Sequence, residues 1–257
     1  MRVCILGSNG FIGSYLSKNL DYDIVKVTRE TIDLTSQIEV KKFLLANNIH
    51  TVINCAFHGS SVKETSITIN LNMFLNFYNC SNLFHHFINI GSGAEFDSTK
   101  DINNQTEDQI VHICPWKNYD FTKNTIARLC LEKPNFSNLR VFGIYDKSEP
   151  NYRLFKKIIN KEINYIDNRY FDYISANDFL SIINYYINDN FAYKDINCVY
   201  KNKIKLPDLV NKFLEINNLK YNYNVMRSYK DYTGDGDRLA SLPIRLEGHD
   251  EGLKNYV

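Results

Sequence analysis

Three glycines fix what the start of this chain can become. Gly7, Gly10 and Gly13 follow the apolar run Arg2-Val3-Cys4-Ile5-Leu6 at three-residue spacing, and Phe11, Ile12, Tyr15, Leu16 and Leu20 continue it with helical spacing. Strand, glycine turn and helix come in the order that a pyrophosphate site needs. A turn of this kind lets backbone N–H groups approach phosphate oxygens, lets the helix pack closely on the sheet, and aims the helix dipole at the phosphate charge. The form is GxxGxxG, its middle glycine one place later than in GxGxxG. Only 11 of the 257 residues are glycine, so a chance occurrence is expected about 0.02 times. The stretch therefore reads as a dinucleotide-binding end, with Gly7, Gly10, Phe11, Ile12 and Gly13 at the cofactor.

The rest of the composition narrows the class. A hydrophobic share of 44% over 257 residues fills the core of one large α/β domain, or of a nucleotide domain with a small lobe. A net charge of +1 gives no reason to expect nucleic acid or an anionic membrane as partner. No apolar run approaches the ~20 residues of a membrane span. The first strand starts at Arg2, which leaves no room for a leader segment, so a cytoplasmic protein is expected. The six cysteines (Cys4, Cys55, Cys80, Cys114, Cys130, Cys198) show no CxxC or Cys/His spacing. They read as reduced, mostly core thiols, with no structural metal.

Strands and helices then alternate. Asp23 to Thr28 is a second strand that ends at Arg29. A carboxylate there would suit the ribose hydroxyls of NAD, whereas Thr28 and Arg29 suit a 2′-phosphate, so NADP(H) is expected over NAD(H). Ile38 to Leu45 is a helix, and Thr51 to Asn54 a third strand that leads into Cys55-Ala56-Phe57-His58. The small Cys55 and Ala56 let the backbone lie against a cofactor, and His58 sits where a substrate could enter. A helix from Ile67 to Leu83 and a strand from His86 to Ile90 lead to Gly91-Ser92-Gly93-Ala94-Glu95-Phe96. Residues 97–112 read as loop, Trp116 to Leu131 as a helix stopped by Pro134, and Asn138 to Phe142 as a fifth strand. This rhythm predicts a parallel, doubly wound sheet of Rossmann type. Residues 1–145 plus roughly 171–200 are assigned to it. Residues 146–170 plus 201–257 are assigned to a smaller α/β substrate-binding lobe, with 234–239 as connecting loop.

Tyr119 and Lys123 stand one helical turn apart and share a face. A positive charge there stabilises a phenolate, so such a pair can give or take a proton near neutral pH. The same spacing recurs at Tyr152 and Lys156, but past the expected cofactor pocket. The pair at Tyr119 follows the fourth strand, whose end carries the hydroxyl of Ser92.

With these elements in place the chain resembles the extended short-chain dehydrogenase/reductase family of sugar-nucleotide epimerases, dehydratases and reductases. The glycine fingerprint, Asp33-Leu34, Asn54-Cys55-Ala56, Asn70, Ser92, Tyr119/Lys123 and Leu139-Arg140-Val141-Phe142 follow the family order. So do residues 171–178 and the closing Glu251-Gly252-Leu253. The resemblance implies that Tyr119 exchanges a proton with a sugar oxygen, that Lys123 holds the nicotinamide ribose, and that Ser92 hydrogen-bonds the same sugar oxygen. It implies cofactor contacts at Asp33, Leu34, Cys55, Ala56, Asn70 and Phe142. It also implies a homodimer built on the helices bearing 70–83 and 119–131.

Departures from the family pattern narrow the activity. The 4,6-dehydratases carry an Asp-Glu pair directly after the hydroxyl residue, where this chain has Gly93 and Ala94. The bifunctional epimerase-reductases carry a Cys at the position of Ala94. Glu95 is one place too far along and is expected to face away from the site. Gly143 stands where the family usually has Asn. The remaining expectation is an NADPH-dependent reductase of a nucleotide-linked 4-keto-6-deoxy sugar, in bacterial-type surface polysaccharide sugar biosynthesis. Tyr119 is then the proton donor, and His58, Ala94, Arg169 and Arg227 lie toward the substrate. An NAD-dependent 4-epimerase and a non-catalytic NADP-binding regulatory protein remain alternatives.

Overall fold

The computed structural model describes residues 1–59, 65–188, 192–227, 230–254 and 256. Five apolar runs with strand character meet in one parallel sheet. They are β1 (Arg2–Leu6), β2 (Asp23–Val27), β3 (Thr51–Asn54), β4 (His86–Ser92) and, after the short strand β5 (Ile102–Gln105), β6 (Phe136–Val141). With β10 (Asp195–Asn197) the sheet has six strands in the order β10-β6-β4-β3-β1-β2. The order reverses direction at β1, which puts the carboxyl ends of β1 and β3 beside one another. A crevice at such a switch point is where open α/β sheets take ligands.

Helices cover both faces, which is why the central strands are apolar throughout instead of alternating. On one face α1 (Phe11–Asn19) and α6 (Ala176–Ile187) press Leu16, Phe179, Ile182 and Ile183 onto Val3, Ile5 and Ile88. On the other face lie α2 (Gln37–Asn47), α3 (Thr65–Asn79) and α4 (Asn118–Glu132). There Phe74 and Phe77 pack on Phe87 and Phe136, whose rings stack at 4.6 Å. The helix read to Leu83 stops at Asn79, and a separate 3₁₀ turn spans Ser81–Leu83.

A further core lies beyond β7 (Ile144–Tyr145). Here α5 (Leu154–Ile159), β8 (Tyr165–Asn168), α7 (Leu206–Ile216), β11 (Asn224–Arg227) and α9 (Gly248–Lys254) bury Phe155, Ile166, Leu209, Phe213 and Leu253 together. β8 and β11 pair in parallel, and the two-residue strand β9 (Ile174–Ser175) pairs with β7.

Two stretches read as loop are structured. Ile102–Gln105 is β5, which pairs in parallel with β12 (Tyr232–Gly234), and a 3₁₀ helix covers Glu107–His112. The tail then forms the short α8 (Asp237–Ala240). Local pattern could not show β5, because Ile102 is its one apolar residue and its partner strand is about 130 residues away along the chain.

Asp172 ties β12 in place: its Oδ2 accepts from Lys203 Nζ at 2.8 Å and from the Gly234 N–H at 2.9 Å. Burial pushes this carboxyl up to about 6, against Lys203 and the Gly234 bond, which hold it down. The folded chain therefore keeps this proton more tightly than the unfolded chain, where the group titrates near 3.8. Its contribution to stability is highest at low pH and falls as pH rises between these two values. Urea unfolding followed from about pH 4 to about pH 7 should show a shallower slope in Asp172→Asn. An unchanged slope would place that titration on another group.

Candidate active site

The glycine turn is shaped by contact distances. Gly7 has φ +70°, and a Cβ on it would stand 2.8 Å from the Ala56 Cα. A Cβ on Gly13 would stand 2.3 Å from the Gly7 carbonyl oxygen. Neither position accepts a side chain without moving backbone, so the β1–α1 turn lies directly on the end of β3. Gly10 is the N-cap of α1 and supplies no side-chain cap. The first N–H groups of α1 are thus left for an anion.

Beside this turn opens a cavity of about 690 Å³. Gly7, Gly10, Arg29, Asp33, Leu34, Cys55, Ala56 and His58, all singled out from the sequence, line it. Phe11, Ile12 and Gly13 follow at the start of α1. The size, the uncapped helix end and the backbone floor fit a dinucleotide: Gly7 and Gly10 at its pyrophosphate, Cys55 and Ala56 along its length, Arg29 and Asp33 at the adenosine end. Thr35 holds the Asp33 carboxyl below its ordinary value with its hydroxyl and N–H. Burial pushes the Cys55 thiol up to about 12, with Lys123 pulling the other way, so it stays protonated. The sequence reading missed Glu30. It lines the same end of the cavity and accepts a hydrogen bond from the Thr28 hydroxyl.

Asn70 is set apart from the other cofactor candidates. Its Oδ1 accepts from the His58 N–H at 2.7 Å and its Nδ2 donates to the His58 carbonyl at 3.0 Å. It holds the loop after β3 from behind.

Tyr119 and Lys123 meet over Phe57, which lines the cavity, and Lys123 reaches β4, the strand that ends in Ser92. The Lys123 Nζ donates to the Ile90 carbonyl at 2.8 Å and lies 5.2 Å from the centre of the Phe57 ring. That ring meets Tyr119 edge-on at 4.9 Å. Phe57 therefore packs against both members of the Tyr–Lys pair and orients them, a role with no sequence signal beyond its place after Ala56.

Glu95 turns inward instead of away. Ser92 caps a 3₁₀ turn at Gly93–Phe96, and Glu95 closes a capping box by accepting from the Ser92 N–H at 2.7 Å. Its other oxygen takes Arg140 Nε at 2.6 Å and Asn138 Nδ2 at 3.1 Å. Arg140 also donates to Asp195 at 2.8 Å and to Asn197 at 2.9 Å. From Asn138 a row of side chains in register crosses the sheet, through Asn89 at 2.7 Å to Asn54 at 3.0 Å. Asn54 Oδ1 accepts from the Ala56 N–H. A continuous buried chain of hydrogen bonds thus joins the cofactor floor to the serine. Burial pushes the Glu95 carboxyl up while Arg140 draws it down. Burial opposes the Arg140 charge, yet Asp195 and Glu95 hold its pKa above the usual value.

Asn70, Ser92, Tyr119 and Lys123 stand outside the lining of the cavity, and so do Phe142, Ala94, Arg169 and Arg227. Phe142 packs tilted on Phe96 and edge-on to Tyr232 and fills the space left by Gly93, so it is core. Ala94 is buried in the 3₁₀ turn, where its N–H donates to Ser92 Oγ. Arg169 lies over Phe171, 3.8 Å from Asp167, and Arg227 is exposed on β11. Among the described residues no group of His, Cys, Asp and Glu could hold a metal, and no helix is long and apolar enough to cross a membrane.

The profile of the NAD dependent epimerase/dehydratase family matches residues 3–197. The chain belongs to that family. A comparison with curated proteins by sequence finds no match. Among solved structures, a dTDP-4-dehydrorhamnose reductase from Bacillus anthracis in complex with NADP superposes with a TM-score of 0.83 at 18% identity, over 99% of this chain and 96% of that one. A GDP-mannoheptose C4 reductase from Campylobacter jejuni with NADP bound gives 0.76 at 17%, over 99% and 96%. A UDP-glucuronic acid 4-epimerase from Bacillus cereus gives 0.79 at 17%, over 100% and 98%. Reductases and an epimerase superpose comparably, so these matches establish the fold and leave the reaction to the site.

Removing one partner of a completely buried ion pair leaves a charge without solvent, at a cost of about 3–5 kcal/mol. Arg140→Met is expected to lose that much stability in urea unfolding; a loss below about 1 kcal/mol would show that the carboxylates around Arg140 do not depend on its charge.

Proposed function

We propose that this member of the family is an NADPH-dependent reductase of a nucleotide-linked 4-keto-6-deoxy sugar. The observation that carries the reading is the Tyr119–Lys123 pair packed on Phe57 beside the cavity, with no uncommitted acid or base in the turn that follows Ser92. Gly93 offers no side chain, Ala94 is buried, and the Glu95 carboxylate is committed to Ser92 N–H, Arg140 and Asn138. Dehydration and epimerisation at neighbouring carbons need such a group. Reduction at C4 does not.

In this reading the nicotinamide, when bound, supplies the hydride. Ser92 and Tyr119 donate hydrogen bonds to the C4 carbonyl oxygen, which draws electron density toward it, and Tyr119 delivers its proton as the alkoxide forms. Lys123, buried beside Phe57, places a positive charge by the phenol and is the group available to a ribose hydroxyl. Thr28 and Arg29 at the adenosine end favour a 2′-phosphate. Two of the similar structures are reductases crystallised with NADP. We further propose that it works as a cytoplasmic homodimer in sugar biosynthesis for bacterial-type surface polysaccharides, with residues 146–170 and 201–257 as its sugar-nucleotide lobe.

Glu30 favours the second reading, an NAD-dependent 4-epimerase, because a carboxylate at this end suits an unphosphorylated ribose. Titration of the purified protein with NADPH and NADH separates the two. Preference for NADPH that falls at least about tenfold in Arg29→Ala supports the reductase; copurified NAD supports the epimerase. Tyr119→Phe should cut turnover of 4-keto sugar nucleotides by about 100-fold or more while leaving the NADPH dissociation constant unchanged. Full activity in that variant would exclude Tyr119 as the proton donor.

A further inference from the structure

Ser92 ends β4, and Tyr119 is the second residue of α4. In the reading above both donate to one carbonyl oxygen, so their hydroxyls have to be held within about 5 Å of each other. The first turn of α4 does little to hold its own place. Its N-cap is Lys117, whose side chain caps no N–H. Helix ends left uncapped fray, and Tyr119 would move with this one.

Asp120 supplies the restraint from outside the helix. It is buried, and its Oδ2 accepts from the Ser98 N–H at 2.8 Å and from the Ser98 hydroxyl at 2.6 Å. Ser98 is itself fixed relative to Ser92. Ser92 caps the 3₁₀ turn Gly93–Phe96, and Asp97 closes that turn at φ +71° with its N–H on the Ala94 carbonyl at 3.0 Å. Asp97 Oδ1 also accepts from the Thr99 N–H at 3.2 Å, so the backbone is held on both sides of Ser98. One helical turn further along α4, Asn124 Nδ2 donates to the Glu95 carbonyl at 2.9 Å. Of these two ties, Asp120 acts in the turn that bears Tyr119. A carboxylate there also suits the positive end of the helix, and once buried it keeps its donors because leaving them is costly.

We infer that Asp120 is a positioning residue: through Ser98 it sets Tyr119 against the oxygen that Ser92 polarises. The inference rests on the reductase reading and adds to it the group that keeps the proton donor aligned. The effect falls on turnover, since the residues lining the pyrophosphate and adenosine ends of the cavity come from other elements.

The test is steady-state reduction of dTDP-, UDP- and GDP-linked 4-keto-6-deoxyhexoses by wild type and variants, with NADPH binding titrated separately. Asp120→Ala should lower kcat about 10- to 100-fold, the scale of a misplacement near 1 Å, and leave KM and the NADPH dissociation constant unchanged. Asp120→Asn keeps an acceptor for the Ser98 N–H and should recover most of the rate. In a Tyr119→Phe background Asp120→Ala should have no further effect, because residues acting through one step are not additive. An equal loss in both backgrounds, which a merely structural role predicts, or full kcat in Asp120→Ala would overturn the inference and leave the reductase reading standing. Should Asp120→Ala fail to fold, Ser98→Ala carries the same test by removing one of the two bonds. A drop of at least about threefold in kcat that vanishes in the Tyr119→Phe background supports the inference, and an unchanged kcat overturns it. If the wild type reduces none of the three sugar nucleotides, the reductase reading itself fails, and the inference falls with it.

Discussion

Arg140 carries a positive charge that water does not reach, and several separate segments close on it. Glu95 comes from the turn after β4, Asp195 and Asn197 from β10, and the Phe96 ring covers the guanidinium at 4.4 Å. A buried charge is tolerated only when its donors are matched, and here its hydrogen bonds go to buried side-chain oxygens. The consequence reaches the chemistry, because the Glu95 carboxylate that neutralises Arg140 also fixes the backbone N–H of Ser92. The position of the serine is thus set by an ion pair behind it and not by the turn alone.

The same cluster organises the middle of the sheet. Asn54, Asn89, Asn138 and Asp195 stand at one register level on four adjacent strands. A one-residue slip of β3 or β4 would replace an amide in this row by an apolar side chain or a thiol and leave its neighbours unsatisfied. The row therefore specifies register where apolar strands buried on both faces otherwise give little discrimination. It ends at Ala56 on one side and at Glu95 on the other, so the floor of the cofactor cavity and the serine share one scaffold.

The glycine turn, the Tyr–Lys pair and the rhythm of strands and helices were legible because each depends on residues close together in the chain. Gly7 and Gly13 sit six residues apart and act on the same turn, and Tyr119 and Lys123 share one helix. Even the inward turn of Glu95 had a local signature, the Ser-x-x-Glu capping box beginning at Ser92, which was read for its position relative to the site and not for its backbone bond. Phe142 was placed at the cofactor on family order alone, and the space created by Gly93 draws it into the core instead. The pairing of β5 with β12 had no local signature at all.

The sequence by itself determined the fold class, the phosphate turn and the candidate proton-transfer pair, since backbone sterics and helical periodicity act over a few residues. Tertiary structure alone decided that Phe57 orients that pair and that Arg140 anchors Ser92 through Glu95. Those contacts link residues 45 or more positions apart. Burial, and not sequence spacing, selects which distant groups must meet, because a charge or hydroxyl removed from water has to find its partner wherever the packed chain provides one.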